Sequence, residues 1–202
     1  MKKQSVCISN GNNKMGKTPN ISLPPITTCG KNLPCFKKCY ALKSYRLYKN
    51  VKTAWNKNLA IYQNNPADYF NQIDSFLTKK KPVFFRFHVS GDFVDIGYLM
   101  SVFEIAIDHP KTCFLAFSKK YGLVNNALEI NSYQLPENLS LVFSGWHGLG
   151  IDNPHNLPVA WCKDENETRI PADAIKCFGN CETCGMCWNL RTIGKDVFFE
   201  IH

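Results

Sequence analysis

The sequence predicts an α/β protein with a mainly parallel sheet. Four apolar segments have the length of buried strands, and segments with helical periodicity separate them; the strands are expected at residues 83–90, 112–118, 139–145 and 159–162. The connections are those of β-α-β units, whose strands pair in parallel. We therefore expect an incomplete (β/α) barrel over residues 1–160, followed by a small cysteine-rich segment, 161–202, that contains a final strand.

Two short strands and two helices are predicted before the first of these strands. Residues 1–28 are rich in Gly, Pro and Asn, with short strands expected at 6–8 and 21–23. Residues 36–63 contain neither Pro nor Gly, so one long helix is predicted there. Pro66 suits the first turn of another helix, over about residues 67–77.

Two further helices and a last strand complete the predicted elements. Asp95 is a good N-cap for a helix that ends near His109. A second helix is expected around residues 123–130, and the final strand at residues 195–201. The alternation of strand and helix thus continues to the end of the predicted barrel.

Composition limits the kinds of function to consider. The chain has 202 residues with 45% hydrophobic and 20% charged residues, which is typical of a globular protein, and no apolar run reaches membrane-spanning length. We expect a cytoplasmic protein. Its 10 cysteines then indicate metal or redox chemistry instead of disulfides. The net charge of +8 indicates an anionic partner, a small molecule or a nucleic acid, or simply a solvated basic surface.

The first group of cysteines comprises Cys29, Cys35 and Cys39, within eleven residues. They lie on a loop that is predicted to run into a helix N-terminus, where backbone N–H groups favour thiolates. Three thiolates can hold an iron–sulfur cluster and leave one coordination position open. The alternative is a structural zinc site completed by a distant ligand such as Cys7 or a histidine.

The second group comprises four cysteines close together: Cys177, Cys181, Cys184 and Cys187. Cys162 lies fifteen residues upstream of this group and is a candidate substitute ligand. The compact spacing favours a second [4Fe–4S] cluster, and a zinc knuckle or ribbon is the alternative. The sequence therefore predicts two separate metal centres.

Polar residues follow the predicted strands at the points where each strand ends. They are His88, Ser90, Gly91 and Asp92 after the first, Ser118 and Lys119 after the second, Ser144 and His147 after the third, and Cys162 after the fourth. Functional groups gather at the carboxyl ends of parallel strands. We therefore predict a site at this edge, in which Asp92, His88 and His147 are the candidate catalytic residues.

The strand at residues 83–90 places side chains alternately on its two faces. Arg86, His88 and Ser90 are expected to share the face that leads to the site. The alternative is that Arg86 forms a structural ion pair with Asp92 and that His88 is a core residue.

The order of these motifs resembles that of the radical S-adenosylmethionine enzymes. The resemblance implies that Cys29, Cys35 and Cys39 bind a [4Fe–4S] cluster and that Ser90, Gly91 and Asp92 contact the methionine end of the cofactor. It also places Tyr40, Ser118 and Ser144 among the cofactor-binding residues, and it implies a barrel of the radical S-adenosylmethionine type. The cysteine gaps of five and three differ from the three and two common in those enzymes.

A second resemblance, to the phage gene product 88 family, covers most of the chain. It is carried by residues 22–25, by Cys39-Tyr40-Ala41 with the cysteines before it, by residues 86–93 and by residues 181–188. The resemblance implies an origin in a phage or another mobile element and no particular activity. If a phage encodes the protein, the expected compartment is the host cytoplasm.

Three functions are consistent with these features. The first is a radical S-adenosylmethionine-like iron–sulfur enzyme that acts on a nucleotide, a nucleic acid or another anionic substrate. The second is a non-catalytic phage protein that binds nucleic acid and is stabilised by zinc or iron–sulfur centres, with Lys37, Lys38, Lys43 and Arg46 facing phosphates. The third is a redox or cluster-carrier protein.

Overall fold

A computed structural model describes residues 4–132 and 134–200 of the chain. Its central element is one eight-stranded sheet, in the order β1-β2-β3-β4-β5-β6-β8-β7. The strands are β1 Ile8–Ser9, β2 Asn20–Ile21, β3 Phe84–Phe87, β4 Cys113–Ser118, β5 Leu139–Gly145, β6 Val159–Lys163, β7 Ile175–Lys176 and β8 Val197–Glu200. Every pair is parallel except β1 with β2.

The helices lie mainly between the strands, as the alternating pattern predicts. They are α1 Pro25–Cys29, a 3-10 helix Pro34–Lys38, α2 Tyr40–Leu47, α3 Lys49–Asn64, α4 Pro66–Lys80, α5 Ile96–Asp108, α6 Tyr121–Ile130, α7 Cys181–Cys184, a 3-10 helix Met186–Trp188 and α8 Leu190–Ile193. Pro66 is the first residue of α4, and the Asp95 carboxylate caps α5 by accepting a hydrogen bond from the Tyr98 N–H.

The mainly parallel α/β sheet predicted from the sequence is confirmed, and it is open. From β2 to β6 the strands follow each other in chain order without reversal, as in a (β/α) barrel. The sheet runs from β1 at one edge to β7 at the other and is not closed. The predicted division at residue 160 lies within β6, and β7 and β8 extend the same sheet. Ile201, predicted in the last strand, lies outside the described residues.

The prediction of one helix over residues 36–63 is wrong. The segment forms the 3-10 helix, α2 and α3, with extended backbone at Tyr48 between the two α-helices. The two helices contact each other: the rings of Tyr45 and Trp55 stack 6.1 Å apart, and the Tyr45 hydroxyl donates to Asn56 Oδ1. Contacts between α2 and α3 therefore stabilise the break at Tyr48, and the absence of Pro and Gly from the segment does not reveal such contacts.

The predicted strand at residues 83–90 is too long, and this changes the placement of its polar side chains. β3 ends at Phe87, and His88 adopts a left-handed backbone conformation with φ of +61°. The alternation that would put Arg86, His88 and Ser90 on one face stops there. His88 instead lies against Phe93 and Tyr98, whereas the Arg86 guanidinium stacks on the Phe117 ring.

The two faces of the sheet are covered differently. Helices α3 to α6 cover one face and form the main core with residues such as Phe85 and Phe114. On the other face, Leu115 and Val142 pack against Trp188 and Leu190 from the cysteine-rich segment. The Trp188 indole N–H donates to the Phe85 carbonyl at 3.1 Å. This segment therefore covers the face of the sheet that would line the interior of a closed barrel.

None of the helices among the described residues is both long enough and apolar enough to cross a membrane.

The amide side chain of Asn58 joins three elements. It is fully buried on α3; its oxygen accepts from the Cys7 N–H at 2.7 Å, and its nitrogen donates to the carbonyls of Cys7 and Ser22. Asn58→Ala leaves these buried groups unpaired, so we expect the free energy of unfolding to fall by about 2 to 4 kcal/mol in urea denaturation. Asn50→Ala, exposed on the same helix, should change it by less than about 0.5 kcal/mol. Equal effects would show that the Asn58 bonds do not stabilise the fold.

Candidate functional site

The carboxyl ends of β2 to β6 meet at one edge of the sheet, because these strands are parallel and neighbouring. The loops that follow them carry most of the residues predicted to form the site. Around this edge the structure brings together Cys29, Cys35, Asp92, Lys119 and Cys162, whose charges are close enough to influence one another. Residues that follow different strands thus lie near one another at this edge.

The Asp92 carboxylate connects the ends of β3 and β4. Its Oδ1 atom accepts from the Ser118 hydroxyl at 2.7 Å and from the Phe93 N–H at 2.8 Å, and its Oδ2 atom accepts from the Lys119 N–H at 2.8 Å. Burial raises the pKa of Asp92 above its ordinary value, and these three donors act in the opposite direction. Asp92 and Ser118 therefore hold the strand ends together from within the protein.

A tight backbone contact fixes the cysteine loop to the same point. Gly91 has a φ of +84°, and a Cβ atom there would lie 2.7 Å from Thr28 Oγ1 and 2.8 Å from Leu23. The Asp92 N–H donates to Thr28 Oγ1 at 3.0 Å, one residue before Cys29. Only glycine fits position 91 without displacing the loop.

The three thiols of the first group lie on three successive helical segments. Cys29 ends α1, Cys35 lies in the 3-10 helix, and Cys39 caps α2, where its sulfur accepts from the Leu42 N–H. The pKa of Cys29 is raised to about 12, mainly by burial and also by the charges of Asp92, Cys39 and Cys35, whereas Lys119 acts in the opposite direction. Burial also raises the pKa of Cys35, against the effect of Lys119. The thiols are therefore electrostatic neighbours of one another and of Lys119.

Cys162, at the end of β6, neighbours the first cysteine group. Burial raises its pKa to about 11, and its charged neighbours include Asp164, Lys119 and Cys35. The sequence places Cys162 with the second group as a substitute ligand. The structure thus supplies a fourth thiol close to the first group, through the parallel pairing of β5 with β6.

The second group of cysteines lines a small depression on the face of the sheet opposite α3 to α6. Its thiols are Cys177, Cys181, Cys184 and Cys187. The pKa of Cys187 is raised to about 12, mainly by burial and also by repulsion from the other three thiols, against the effect of Arg86. The Cys181 N–H donates to the Lys14 carbonyl at 2.8 Å, which fixes the segment to the N-terminal loop.

The thiols are gathered but not arranged around one point. Across residues 4–132 and 134–200, no three His, Cys, Asp or Glu side chains are placed so that they could hold a metal ion. The chemistry of both groups nevertheless fits iron or zinc, because thiolates are the preferred ligands of both. Which metal, if any, either group binds stays a prediction.

His88 belongs to the core beneath the site. It is 2% exposed, and its Nε2 atom lies 3.1 Å from the Tyr98 hydroxyl. The pKa of His88 is lowered to about 3, mainly by burial and also by the charges of Arg86 and Lys120. Among the described residues, its Nδ1 atom and the Ser90 hydroxyl are buried without a hydrogen-bond partner. His88 is thus a core residue whose ring is only half paired. The ion pair that the alternative interpretation expects between Arg86 and Asp92, both of them described residues, is not formed, because Arg86 stacks on Phe117.

The remaining predicted residues lie at the rim of this edge. Tyr40 donates its hydroxyl to the Val89 carbonyl at 2.7 Å while its ring stays exposed. The Ser144 carbonyl accepts from the Tyr121 hydroxyl at 2.6 Å. His147 is exposed, and its charge acts on Glu167.

The ion pair between Glu167 and Arg169 was not predicted from the sequence. The Arg169 guanidinium donates to both oxygens of the buried Glu167 and to the carbonyls of Trp146 and Leu149. The hydrogen bonds from Arg169 hold the pKa of Glu167 below its ordinary value. Both residues lie in the loop after β6, and no spacing signal reveals that Arg169 also bonds to the carbonyls of the loop after β5. Tyr121, three residues after Ser118, could have been found as the residue that begins the next helix at a strand end.

Fold and site together define an open α/β protein with one cysteine group at the carboxyl edge of its parallel strands and a second on the sheet face. A family model described as gene product 88 matches residues 6–190. The chain belongs to the gene product 88 family, as the sequence motifs indicate. No curated protein and no solved structure matches the chain.

The buried His88 makes stability depend on pH. Below pH 6.5 an ordinary histidine binds a proton in the unfolded chain, whereas folded His88 stays neutral down to about pH 3. The free energy of unfolding should therefore fall by up to about 1.4 kcal/mol per pH unit between pH 6.5 and 4.5. In His88→Asn, which tolerates the left-handed backbone, this contribution should be missing from the urea-derived profile. Profiles of equal slope would contradict the assignment.

The three donors around Asp92 require two carboxylate oxygens. In Asp92→Asn, an amide N–H₂ group replaces one oxygen and opposes either the Lys119 N–H or the donors on the other side. We expect the melting temperature to fall, with a decrease of about 1 to 3 kcal/mol in the free energy of unfolding. Glu104→Gln, an exposed change on α5, is the control and should have almost no effect. An unchanged Asp92→Asn protein would show that the strand ends do not depend on this carboxylate.

Proposed function

We propose that this protein is an iron–sulfur enzyme whose first cysteine group binds a [4Fe–4S] cluster at the carboxyl edge of the sheet. The observation that carries the proposal is the position of this group. Its loop is fixed by Thr28 and Gly91 to the end of β3, where parallel α/β sheets bind their ligands. A purely structural centre would not require placement at this edge.

Cys29, Cys35 and Cys39 would hold the cluster. When bound, such a cluster supplies single electrons. Lys119, a neighbour of Cys29 and Cys35, provides positive charge beside the thiolates. Asp92 is a positioning residue in this proposal, because all three of its hydrogen bonds hold loops of the protein in place.

The finer form of the proposal, suggested by the radical S-adenosylmethionine enzymes, is that S-adenosylmethionine is the co-substrate. The chain-order sequence of parallel strands supports this form, and so does the buried Ser90 hydroxyl, which has no partner among the described residues. Tyr40, tethered to Val89 with its ring exposed, and Ser144 lie on the same rim. Cys162 is the deciding residue: three protein thiolates leave a coordination position open, and four would close it.

The test is metal content after anaerobic purification and reconstitution with iron and sulfide. Wild-type protein should be brown, with iron and acid-labile sulfide in equal amounts. Cys29→Ala, Cys35→Ala and Cys39→Ala should each lose about four iron atoms per chain, the content of one such cluster. Cys7→Ala is the matched control, since Cys7 is held by its backbone to Asn58 on α3, and it should keep its iron.

Cys162→Ala separates the open site from the closed one. Retained iron, with a rise in melting temperature on addition of S-adenosylmethionine, supports the radical S-adenosylmethionine form. Loss of the first cluster in this variant indicates a four-thiolate centre and contradicts that form. Zinc in stoichiometric amount, with no iron taken up under anaerobic conditions, would contradict the whole proposal.

A further inference from the structure

The charges of the chain are divided unequally along its length. All 16 acidic residues lie at or after Asp68, whereas 12 of the 24 basic residues precede it. Residues 1–67 therefore carry a formal charge of +12, and the remainder carries −4. This N-terminal third contains both the first cysteine group and helices α1 to α3.

Three basic residues of this third line a groove along α2. The groove has a volume of about 350 Å³, and its lining residues are Phe36, Lys37, Cys39, Leu42, Lys43, Arg46 and Leu47. Three of these residues are cationic, and no acidic residue from the described part of the chain lines the groove. Lys43 and Arg46 are one turn apart and exposed, so both cations are available to an external anion.

Exposed aromatic rings stand at both ends of α2. The Tyr40 ring is 63% exposed, and its hydroxyl bond to the Val89 carbonyl limits its motion. Tyr48, directly after α2, is 57% exposed. Aromatic rings of this kind, interspersed with cations, are the platforms on which proteins stack the unpaired bases of single strands.

We propose that the α2 groove binds single-stranded nucleic acid. Lys37, Lys43 and Arg46 would contact successive phosphates, and the Tyr40 and Tyr48 rings would stack on bases. A single strand fits these features because its bases are free to stack on exposed rings, whereas those of a duplex are not. Cys39 lines the groove, so a bound strand lies beside the first cysteine group.

Single-stranded nucleic acid would then be the substrate of the proposed iron–sulfur enzyme. Only this assignment as a substrate rests on the proposed function. Strand binding itself uses cations and rings on the protein surface. It is expected in the metal-free protein and in the reconstituted protein alike. Iron content and strand binding can thus fail independently.

The experiment measures fluorescence anisotropy of a labelled 20-nucleotide oligo(dT) with full-length protein, over a series of salt concentrations. Wild-type affinity should fall steeply as salt rises, because bound phosphates release counterions. The double variant Lys43→Ala/Arg46→Ala should bind at least tenfold more weakly. Its slope of log affinity against log salt should be smaller by about 1.4, or about 0.7 for each phosphate that is no longer neutralised.

Three further variants make the result specific. Lys79→Ala/Lys80→Ala removes the same charge from the exposed end of α4 and should bind as wild type. Tyr48→Ala should weaken binding about tenfold, whereas Tyr48→Phe, which keeps the ring, should not. All of these changes are at exposed positions, and unaltered melting temperatures would confirm that the variants fold.

Three outcomes would overturn the inference. Equal weakening in the two lysine-containing double variants would mean that binding follows net charge and not the groove. Binding to vesicles of anionic lipid but not to oligo(dT) would assign the groove to a membrane surface. Normal iron incorporation with no binding of oligo(dT) would reject the substrate class while leaving the iron–sulfur proposal intact. Binding of oligo(dT) without iron incorporation would reject the iron–sulfur proposal and leave the strand-binding inference intact.

Discussion

The buried carboxylate of Asp92 is the contact on which the organisation of this protein depends. It accepts hydrogen bonds from the end of β4 while its own N–H donates to Thr28 at the start of the cysteine loop. Three segments far apart in the sequence thus meet at one residue. Because an unpaired donor at this depth would cost about 1 to 3 kcal/mol, the loops have little freedom to move apart. The first cysteine group is consequently held rigidly against the sheet. A functional site needs rigid support of this kind.

β3 connects the two cysteine groups although they lie on different parts of the molecule. Beyond its carboxyl end it leads to Asp92 and the first group, and its side chains Phe84 and Arg86 face the second group. The Trp188 indole bonds to the Phe85 carbonyl, so the C-terminal segment is anchored on the same four-residue strand. An open sheet with one face covered by its own C-terminal segment also has no need to close into a barrel, since that face is already buried.

Much of the fold could be predicted because its strands are continuous apolar runs bounded by turn residues. β5 lies where the sequence places it, at residues 139–145, and the capping of α5 by Asp95 is a local signal. The errors arose where tertiary contacts decide. The break at Tyr48 has no Pro or Gly, and the left-handed turn at His88 ends a strand whose apolar pattern continues. Local patterns likewise did not associate Cys162 with the first cysteine group, because that neighbourhood depends on strand order.

The order of the strands also bears on where the basic N-terminal third of the chain lies. In a doubly wound sheet, successive strands are placed on both sides of the first, which would disperse the acid-free N-terminal third. Here β1, β2 and β3 are neighbours in chain order, and the segment after β2 carries the first cysteine group along the carboxyl edge of the sheet as far as Cys162 on β6. Lys38 from this third, together with Lys119, therefore lies near the thiols at the edge where parallel sheets bind their ligands. The same edge of the sheet thus brings thiols and lysines together.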